Sequence, residues 1–242
     1  MRYVFIVSYA RSGSTLLMSV LNAIPGYCIR GENGGVVAPM AESDRLLRQA
    51  RTLMKGHYDG PSSPWYGFNQ VDPDAWRAER ARVFTEHILA PPPGTRVSGF
   101  KEVRYTPEDM GDELFHATID FLAEGFGDAR IVFNMRTAQE VARSAWWKTH
   151  YPSHEVESFV ATCDRRFGEA HRRLGARRSF MIRYADYDAK PAGFLPLLDW
   201  LGEELPAATL EAISGHRLVH FNHKQRPWPV RMLRRAARAL RG

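Results

Sequence analysis

The sequence predicts an α/β protein in which a mostly parallel sheet of about four to five strands lies between two layers of helices. Short apolar runs that are typical of buried strands alternate with longer segments whose apolar residues recur at helical spacing. At 242 residues the chain is long enough to bury a substantial core as one domain. Because each strand leads into a helix, the alternation favours a parallel sheet covered on both faces.

Four strands are predicted, and a helical segment follows each of them. The strands span residues 3–7, 95–100, 130–135 and 179–184. Helical patterns cover residues 16–21, 42–57, 72–90, 106–125, 137–149, 159–174 and 194–202, with Leu46 and Leu53 on the apolar side of the second and a capping box of Thr137 and Glu140 at the fifth. Residues 27–35 are predicted as a short extended piece and a glycine-rich turn. The loop 58–70 carries aromatic residues that either close over an acceptor or fill the core.

Composition favours a soluble globular protein in a reducing compartment. Hydrophobic residues make up 44% of the chain and charged residues 25%, and the mean hydropathy is −0.37. The apolar start is interrupted at Arg11, before it reaches the length of a signal-peptide core or a membrane span, so we expect a cytoplasmic location. Cys28 and Cys163 stand far apart without a paired motif, which favours two reduced thiols over a disulfide.

The net charge of +6 fits an anionic partner, but it does not choose among nucleic acid, an anionic membrane surface and an anionic small ligand. Residues 1–242 are predicted to form a single domain whose tail, 224–242, has seven basic residues and no acidic one. This tail is predicted to be either a docked helix with a solvated basic face or an interfacial helix that associates weakly with a membrane surface.

A short polar loop between the first strand and the first helix is where we place the functional site. Such a loop aims backbone N–H groups and a helix N-terminus at one position, which attracts phosphate or sulfate. Aligned with the nucleotide-binding P-loop, Ser8 takes the first glycine position, Gly13 the second, and Thr15 the final Ser/Thr position. Ser14 replaces the lysine, and Arg11 supplies a positive charge instead. The loop therefore predicts a P-loop-like fold whose phosphate ligand is not handled as Mg-ATP.

Eight residues of this loop resemble the segment that binds the 5′-phosphosulfate of 3′-phosphoadenosine 5′-phosphosulfate (PAPS) in PAPS-dependent sulfotransferases: Ala10-Arg11-Ser12-Gly13-Ser14-Thr15-Leu16-Leu17. An Arg at the end of the third predicted strand and a Ser eight residues later, Arg136 and Ser144, resemble the 3′-phosphate site of that family. Tyr184 corresponds to a Tyr that contacts adenine. The resemblance implies that the donor is bound by Arg11, Ser12, Gly13, Ser14, Thr15, Arg136, Ser144 and Tyr184.

Three residues are assigned to the chemistry, and a fourth is an alternative for one of them. In tyrosylprotein sulfotransferases and some bacterial sulfotransferases a Glu shortly after the first helix is the general base, and Glu32 occupies that place here. The resemblance also assigns Lys101, at the end of the second strand, to the transferring sulfuryl group, together with Arg11. Glu102 is the other candidate base. Adjacent strand residues point to opposite faces, which favours Glu32 and leaves Glu102 as a structural partner for an arginine.

The resemblance implies transfer of a sulfuryl group from PAPS to a hydroxyl or amine of a small-molecule or glycan acceptor, with no metal ion required and no nucleic-acid partner. Two other functions stay open here. A P-loop kinase-like phosphotransferase would share the first loop, although the loop lacks its lysine. A non-catalytic anion-binding or nucleic-acid-binding protein would explain the charge, but not the two ordered phosphate sites.

Three histidines near the C-terminus offer a metal-binding alternative. His216, His220 and His223 are spaced by four and three residues, which would let two of them bind a metal from one helical face. No carboxylate or cysteine lies near them in the sequence. Polar surface or ligand-loop histidines are therefore favoured.

Overall fold

The chain folds around one five-stranded sheet, seen in a computed structural model that describes residues 1–57 and 60–215. The strands are β1 (Arg2–Val7), β2 (Tyr27–Arg30), β3 (Val97–Glu102), β4 (Arg130–Met135) and β5 (Ser179–Arg183). They lie in the order β2-β3-β1-β4-β5, and each neighbouring pair is parallel. The predicted α/β fold with a parallel sheet is confirmed.

Helices follow the strands and cover both faces of the sheet. They are α1 (Ser14–Asn22), α2 (Val37–Leu53), α3 (Pro73–Phe84), α4 (Asp112–Gly125), α5 (Ala138–Ala142), α6 (Ala145–His150), α7 (Ser153–Leu174), α8 (Tyr184–Tyr187), α9 (Leu195–Leu201) and α10 (Ala207–Gly215). Short helical turns lie at Phe68–Gln70, Thr85–Leu89 and Pro191–Phe194. In the described part of the chain, no helix combines the length and the apolar composition that crossing a membrane requires.

Strand alternation divides the apolar core into two halves. Phe5, Phe100 and Phe133 lie on one face of the sheet and belong to a cluster with buried residues of α2, α3, α4 and α7. Ile6 and Val132 lie on the other face, in a cluster with buried residues of α1, α9 and α10. Since apolar burial is the main favourable term in folding, these two clusters hold the three layers together.

The edge strand β2 is predicted from the sequence only as a short extended piece. Its four residues pair with β3 on one side and leave the other edge open. The Asn22 side chain covers this edge, because its Nδ2 donates to the Ile29 carbonyl oxygen at 2.9 Å and its Oδ1 accepts the Ile29 N–H at 2.7 Å. A side chain of α1 thus satisfies backbone groups that a further strand would otherwise pair.

Helix α2 differs from its prediction in its start and in its buried face. It begins at Val37 rather than at residue 42, and Leu46 and Leu53 are 49% and 64% exposed. Asp44 is buried instead, and its Oδ2 accepts a hydrogen bond from Arg77 Nη2 of α3 at 2.6 Å. The face that α2 buries is decided by what α3 and α4 present to it, and periodicity within one helix does not report that.

The helix predicted over residues 137–149 is two short helices, α5 and α6, with Ser144 in an extended conformation between them. Ser favours helix N-cap positions over helix interiors, which suits this break. Thr137 is the N-cap of α5 as predicted, but the capping box does not form. Its Oγ1 donates to Glu140 Oε2 at 2.6 Å and makes no capping bond to the backbone.

Glu203, in the turn after α9, joins the amino ends of three strands. Tyr27 Oη, Arg2 Nη2 and Arg96 Nη1 donate to its Oε1 at 3.2, 3.2 and 2.6 Å. The hydrogen bond from Arg96 holds the pKa of Glu203 below its ordinary value. Burial, and then the charge of Glu203, raise the pKa of Tyr27 to about 12. At neutral pH, Tyr27 is therefore a donor and Glu203 an ionised acceptor.

We expect Glu203→Gln to lower the free energy of unfolding at pH 7 by roughly 1–3 kcal/mol, as for other lost hydrogen bonds to charged groups. Because the folded pKa lies below the unfolded pKa, the stability from Glu203 is present above the unfolded value and is lost as pH falls through the folded value. The difference from wild type should therefore shrink toward acid pH in urea unfolding. Glu204→Gln, at the exposed neighbouring residue, is the control. A difference that is constant with pH would contradict the assignment.

The strand order places a crevice at the carboxyl end of the sheet. From β1 the chain crosses toward β2 on one side, and from β4 it continues to β5 on the other side. Adjacent strands whose connections leave in opposite directions open a crevice at their carboxyl ends, where α/β proteins bind ligands. The loops after β1 and β4 meet at this position.

Candidate functional site

The loop of residues 8–13 connects β1 to α1 at the crevice. Arg11 and Gly13 have left-handed backbone conformations, with φ of 70° and 86°. Gly13 is the N-cap of α1, whose first backbone N–H groups have no partner within the helix. A Cβ at residue 13 would lie 2.1 Å from Tyr184 Cδ2, so this position requires glycine. The loop provides backbone donors and a helix N-terminus of the kind that binds oxyanions.

The five loop residues predicted to bind phosphosulfate differ in exposure. Arg11 and Thr15 are exposed, and Gly13 is half-buried. Ser12 and Ser14 are buried, and the Ser12 hydroxyl lies 2.5 Å from the hydroxyl of Ser8. In this arrangement the side chain of Ser12 supports the loop from inside, while Arg11 and Thr15 stand at its surface.

A buried hydrogen-bond network connects the loop to β4 and α8. Asn134 Nδ2 donates to the carbonyl oxygen of Ser12 at 2.9 Å, and Tyr187 Oη donates to Asn134 Oδ1 at 2.7 Å. Ser8 Oγ donates to the carbonyl oxygen of Asn134 at 2.9 Å. The roles of Asn134 and Tyr187 were not predicted from the sequence. The signal that could have found Asn134 is a polar residue inside an otherwise apolar strand, since a buried amide requires partners.

Arg136, at the end of β4, lies beside the loop and over an aromatic ring. Its Nη1 donates to the Arg11 carbonyl oxygen at 3.0 Å, and its Cζ lies 4.0 Å from the centroid of the Tyr184 ring. Tyr9 Oη lies 2.7 Å from both the backbone nitrogen and the carbonyl oxygen of Arg136, which fixes the backbone there. The structure therefore brings together Arg11, Gly13, Arg136 and Tyr184, which the sequence assigned to one ligand.

Two of the buried polar atoms that have no hydrogen-bond partner among the described residues belong to the predicted 3′-phosphate site: Arg136 Nε and Ser144 Oγ. An unsatisfied buried donor is costly and is uncommon in native proteins. Both atoms can donate to an anion, and both belong to residues predicted to bind the 3′-phosphate. The donor set therefore fits a phosphate group, although no hydrogen bond joins Ser144 Oγ to Arg136.

Lys101 and Glu32 form an ion pair at the carboxyl edge of the sheet. Lys101 Nζ donates to Glu32 Oε1 at 2.6 Å. The Lys101 side chain is 7% exposed, whereas that of Glu32 is 43% exposed and open to solvent. Lys101 lies opposite Ile6 of β1, the strand that leads into the loop. Two of the three predicted catalytic side chains, Lys101 and Glu32, are thus in contact. Lys101 lies on the strand next to β1, which leads into the loop.

Glu102, the other candidate base, is fully buried. Its register partner in β1 is Val7, which lies in the other core cluster from Ile6, so Lys101 and Glu102 occupy opposite faces of the sheet. Its Oε2 accepts the N–H groups of Asn33 and Gly35, each at 3.0 Å. With no exposed surface, the carboxylate of Glu102 has no access to an acceptor in this arrangement.

The resemblance to sulfotransferases extends over most of the chain. The sequence profile of the sulfotransferase family matches residues 3–207, a span that contains every site residue described above. The chain belongs to the sulfotransferase family. No curated protein matches this sulfotransferase in sequence at a significant level.

Solved sulfotransferase domains share the fold of this sulfotransferase. The sulfotransferase domain of the Synechococcus PCC 7002 olefin synthase has a TM-score of 0.56 and 21% identity, over 94% of this chain and 83% of that domain. The sulfotransferase domain from the curacin biosynthetic pathway has a TM-score of 0.52 and 17% identity, over 91% of this chain and 80% of that domain. At these identities the similarity shows the fold alone.

A metal site and a basic tail were also predicted as alternatives near the C-terminus. Residues 1–57 and 60–215 of the sulfotransferase contain no group of three or more His, Cys, Asp or Glu side chains that could hold a metal ion. His216, His220 and His223 lie outside the described residues, as does the basic tail 224–242. The metal-binding alternative and the two alternatives for the tail therefore stay predictions.

Proposed function

We propose that this sulfotransferase transfers the sulfuryl group of PAPS to a hydroxyl or amine of a small-molecule or glycan acceptor, with Glu32 as the general base. The observation that carries the proposal is the 2.6 Å contact between Lys101 Nζ and Glu32 Oε1. A half-exposed carboxylate and a cation are held together next to an anion-binding loop that lacks the ATP-binding lysine. That combination suits proton removal from an acceptor beside a negatively charged leaving group.

In this proposal PAPS binds across the crevice. The backbone of residues 11–15 and the N-terminus of α1 hold its 5′-phosphosulfate, because they supply N–H donors and a positive helix end. Arg136 and Ser144 hold the 3′-phosphate with the two unpartnered donors described above. Tyr184 packs against adenine. The negative charges of PAPS are then met by Arg11, Lys101 and Arg136, and we assign the reaction no metal ion.

The proposed chemistry divides between one base and two cations. PAPS supplies the sulfuryl group: the acceptor oxygen or nitrogen attacks sulfur and gives its proton to Glu32, while the bond between sulfur and the bridging phosphate oxygen breaks and PAP leaves with that electron pair. Lys101 and Arg11 stabilise the negative charge on the sulfuryl and bridging oxygens. An ammonium has three N–H donors, and Glu32 accepts one from Lys101, which leaves others for the sulfuryl oxygens. Groups held in place by the sheet need little reorganisation for this task.

PAP, the product form of the donor, should stabilise the protein without metal, and at 100 times its Kd it should raise the free energy of unfolding by about 2.7 kcal/mol. Arg136→Ala should weaken the binding of PAP by roughly 10–100-fold, the loss expected for hydrogen bonds between charged groups. The same variant should weaken the binding of adenosine 5′-phosphosulfate much less, because that molecule has no 3′-phosphate. Thermal shift titrations measure both.

The control for this experiment is Arg172→Ala, at an exposed arginine of α7. It should bind PAP as wild type does. If ATP with Mg²⁺ stabilises the protein as well as PAP, the assignment of the 3′-phosphate site is wrong and a phosphotransferase is favoured. Salt-sensitive DNA binding without PAP binding would instead favour the nucleic-acid-binding alternative.

Three further features belong to the proposal rather than to the described structure. They are the single-domain boundary 1–242, a cytoplasmic location, and a weak membrane-surface association of the tail. Fractionation of cell extracts tests the second, and sedimentation of the full chain with anionic vesicles tests the third.

A further inference from the structure

Two consecutive residues of β3 hold the loop that carries Glu32. Lys101 contacts the Glu32 side chain through the 2.6 Å hydrogen bond already described. Glu102 contacts the backbone just after it, because its Oε2 accepts the N–H groups of Asn33 and Gly35 at 3.0 Å. Its other oxygen, Oε1, accepts the N–H of Val103 at 2.9 Å, which ties the carboxylate to its own strand.

The loop has the backbone shape that this contact needs. Gly34 and Gly35 have left-handed conformations, with φ of 78° and 76°. Residues in such conformations bring nearby N–H groups to one side of the chain and form a concave anion site. Here the anion is the carboxylate of Glu102, which is fully buried and therefore depends on these donors. The loop and the carboxylate therefore form one hydrogen-bonded unit inside the protein.

The predicted arginine partner of Glu102 is Arg104, which forms a long ion pair with it. Arg104 Nε lies 4.0 Å from Glu102 Oε1, beyond hydrogen-bond distance, and has no hydrogen-bond partner in the described part of the chain. The shorter contacts of Glu102 are to backbone N–H groups, which the sequence does not predict. What Glu102 stabilises is the conformation of the loop.

We propose that Glu102 is a positioning residue, which fixes residues 33–35 so that the carboxylate of Glu32 stays beside Lys101. This inference rests on the proposed function, since it takes Glu32 to be the general base. Glu32 follows a four-residue edge strand, and its side chain is 43% exposed, so little else restrains it. A displacement of the base by about 1 Å can lower the reaction rate on the order of 10²-fold, so the anchoring is expected to affect turnover.

Glu102→Gln should lower kcat by about 10–100-fold through this displacement, with PAP affinity unchanged. A glutamine keeps the shape, but its NH₂ group cannot accept a hydrogen bond. Either the Asn33 and Gly35 N–H groups lose their partner, or the Val103 N–H group does and the side chain is no longer tied to its own strand, so the loop is held less firmly in both cases. Amide hydrogen exchange of Asn33 and Gly35 should become faster. In a Glu32→Gln background, adding Glu102→Gln should cost little further activity, because both changes remove the same function.

Gly34→Ala tests the loop without touching the buried carboxylate. Gly34 is exposed and has open space around it, so an added methyl group meets no atom within 4 Å and acts only by straining the left-handed backbone. It should lower kcat in the same direction as Glu102→Gln and leave PAP affinity unchanged. Asp44→Asn is the matched control for loss of a buried carboxylate, and it should leave kcat unchanged.

Specific outcomes would overturn the proposal. They are wild-type kcat in Glu102→Gln, unchanged exchange at Asn33 and Gly35, or a multiplicative loss in the double variant. An inactive Glu102→Gln together with an active Glu32→Gln would make Glu102 the base. The proposed function fails separately: if the wild type transfers no sulfuryl group from PAPS, faster exchange at Asn33 and Gly35 would still support the anchoring.

Discussion

Glu32→Gln should lower sulfuryl-transfer turnover by roughly 10²–10⁴-fold, the contribution expected of a general base. Glutamine keeps the size of the side chain and can still accept a hydrogen bond from Lys101, but it takes up no proton. The affinity for PAP should stay near the wild-type value, because the proposal gives Glu32 a contact to the acceptor and none to PAP. Steady-state turnover at saturating PAPS and thermal shifts with PAP measure the two quantities separately.

The matched control for Glu32→Gln is Glu79→Gln, which removes a charge from a half-exposed carboxylate that pairs with Arg82 on α3. Its turnover should equal that of the wild type. Wild-type turnover in Glu32→Gln would show that another group accepts the proton. Because Glu102 is buried on the other face of the sheet, it would then need a loop conformation different from the one described.

Lys101→Met should lower turnover by about 10²–10³-fold, as for loss of one fixed donor to a developing negative charge. Methionine keeps the apolar stem, which is buried, and removes only the ammonium group. The affinity for PAP should fall much less than turnover, since the contact to the sulfuryl group strengthens in the transition state. Single-turnover rates at saturating PAPS, beside PAP titrations, test this split.

Lys55→Met, at an exposed lysine after α2, is the control for loss of a lysine charge and should behave as wild type. Equal losses of PAP affinity and turnover in Lys101→Met would place Lys101 in ground-state binding of the donor. An unchanged rate at saturating donor would remove it from the chemistry altogether. Either outcome would leave Arg11 as the remaining cation for the bridging oxygen.

The main elements of the fold could be predicted because their signals are local. The apolar run before the polar loop and the helical spacing after it predict β1 and α1, and both lie where expected. The exceptions are elements whose structure depends on contacts with neighbouring elements. β2 is a strand because β3 and Asn22 satisfy its backbone, and α2 buries Asp44 because Arg77 of α3 meets it.

Part of the candidate site could be predicted from the sequence in the same way. The family resemblance assigned Arg11, Gly13, Arg136 and Tyr184 to one ligand, and the structure places these four residues together, while their binding of phosphate stays a prediction. The network through Asn134 was missed, because a single amide within a strand does not reveal which backbone carbonyl it will meet.

Four of the five strands, the helices that follow them and the polar loop after β1 were predictable from the sequence, because they depend on periodicity, turn residues and motif spacing within short segments. The contact of Glu32 with Lys101, 69 residues away, and the burial of Glu102 depend instead on how distant strands pair. The parallel pairing of β2 with β3 brings Arg30 beside Phe100 and so sets the loop after β2 against the end of β3. Register between distant strands is selected by the burial of whole faces of a sheet, which no local pattern contains.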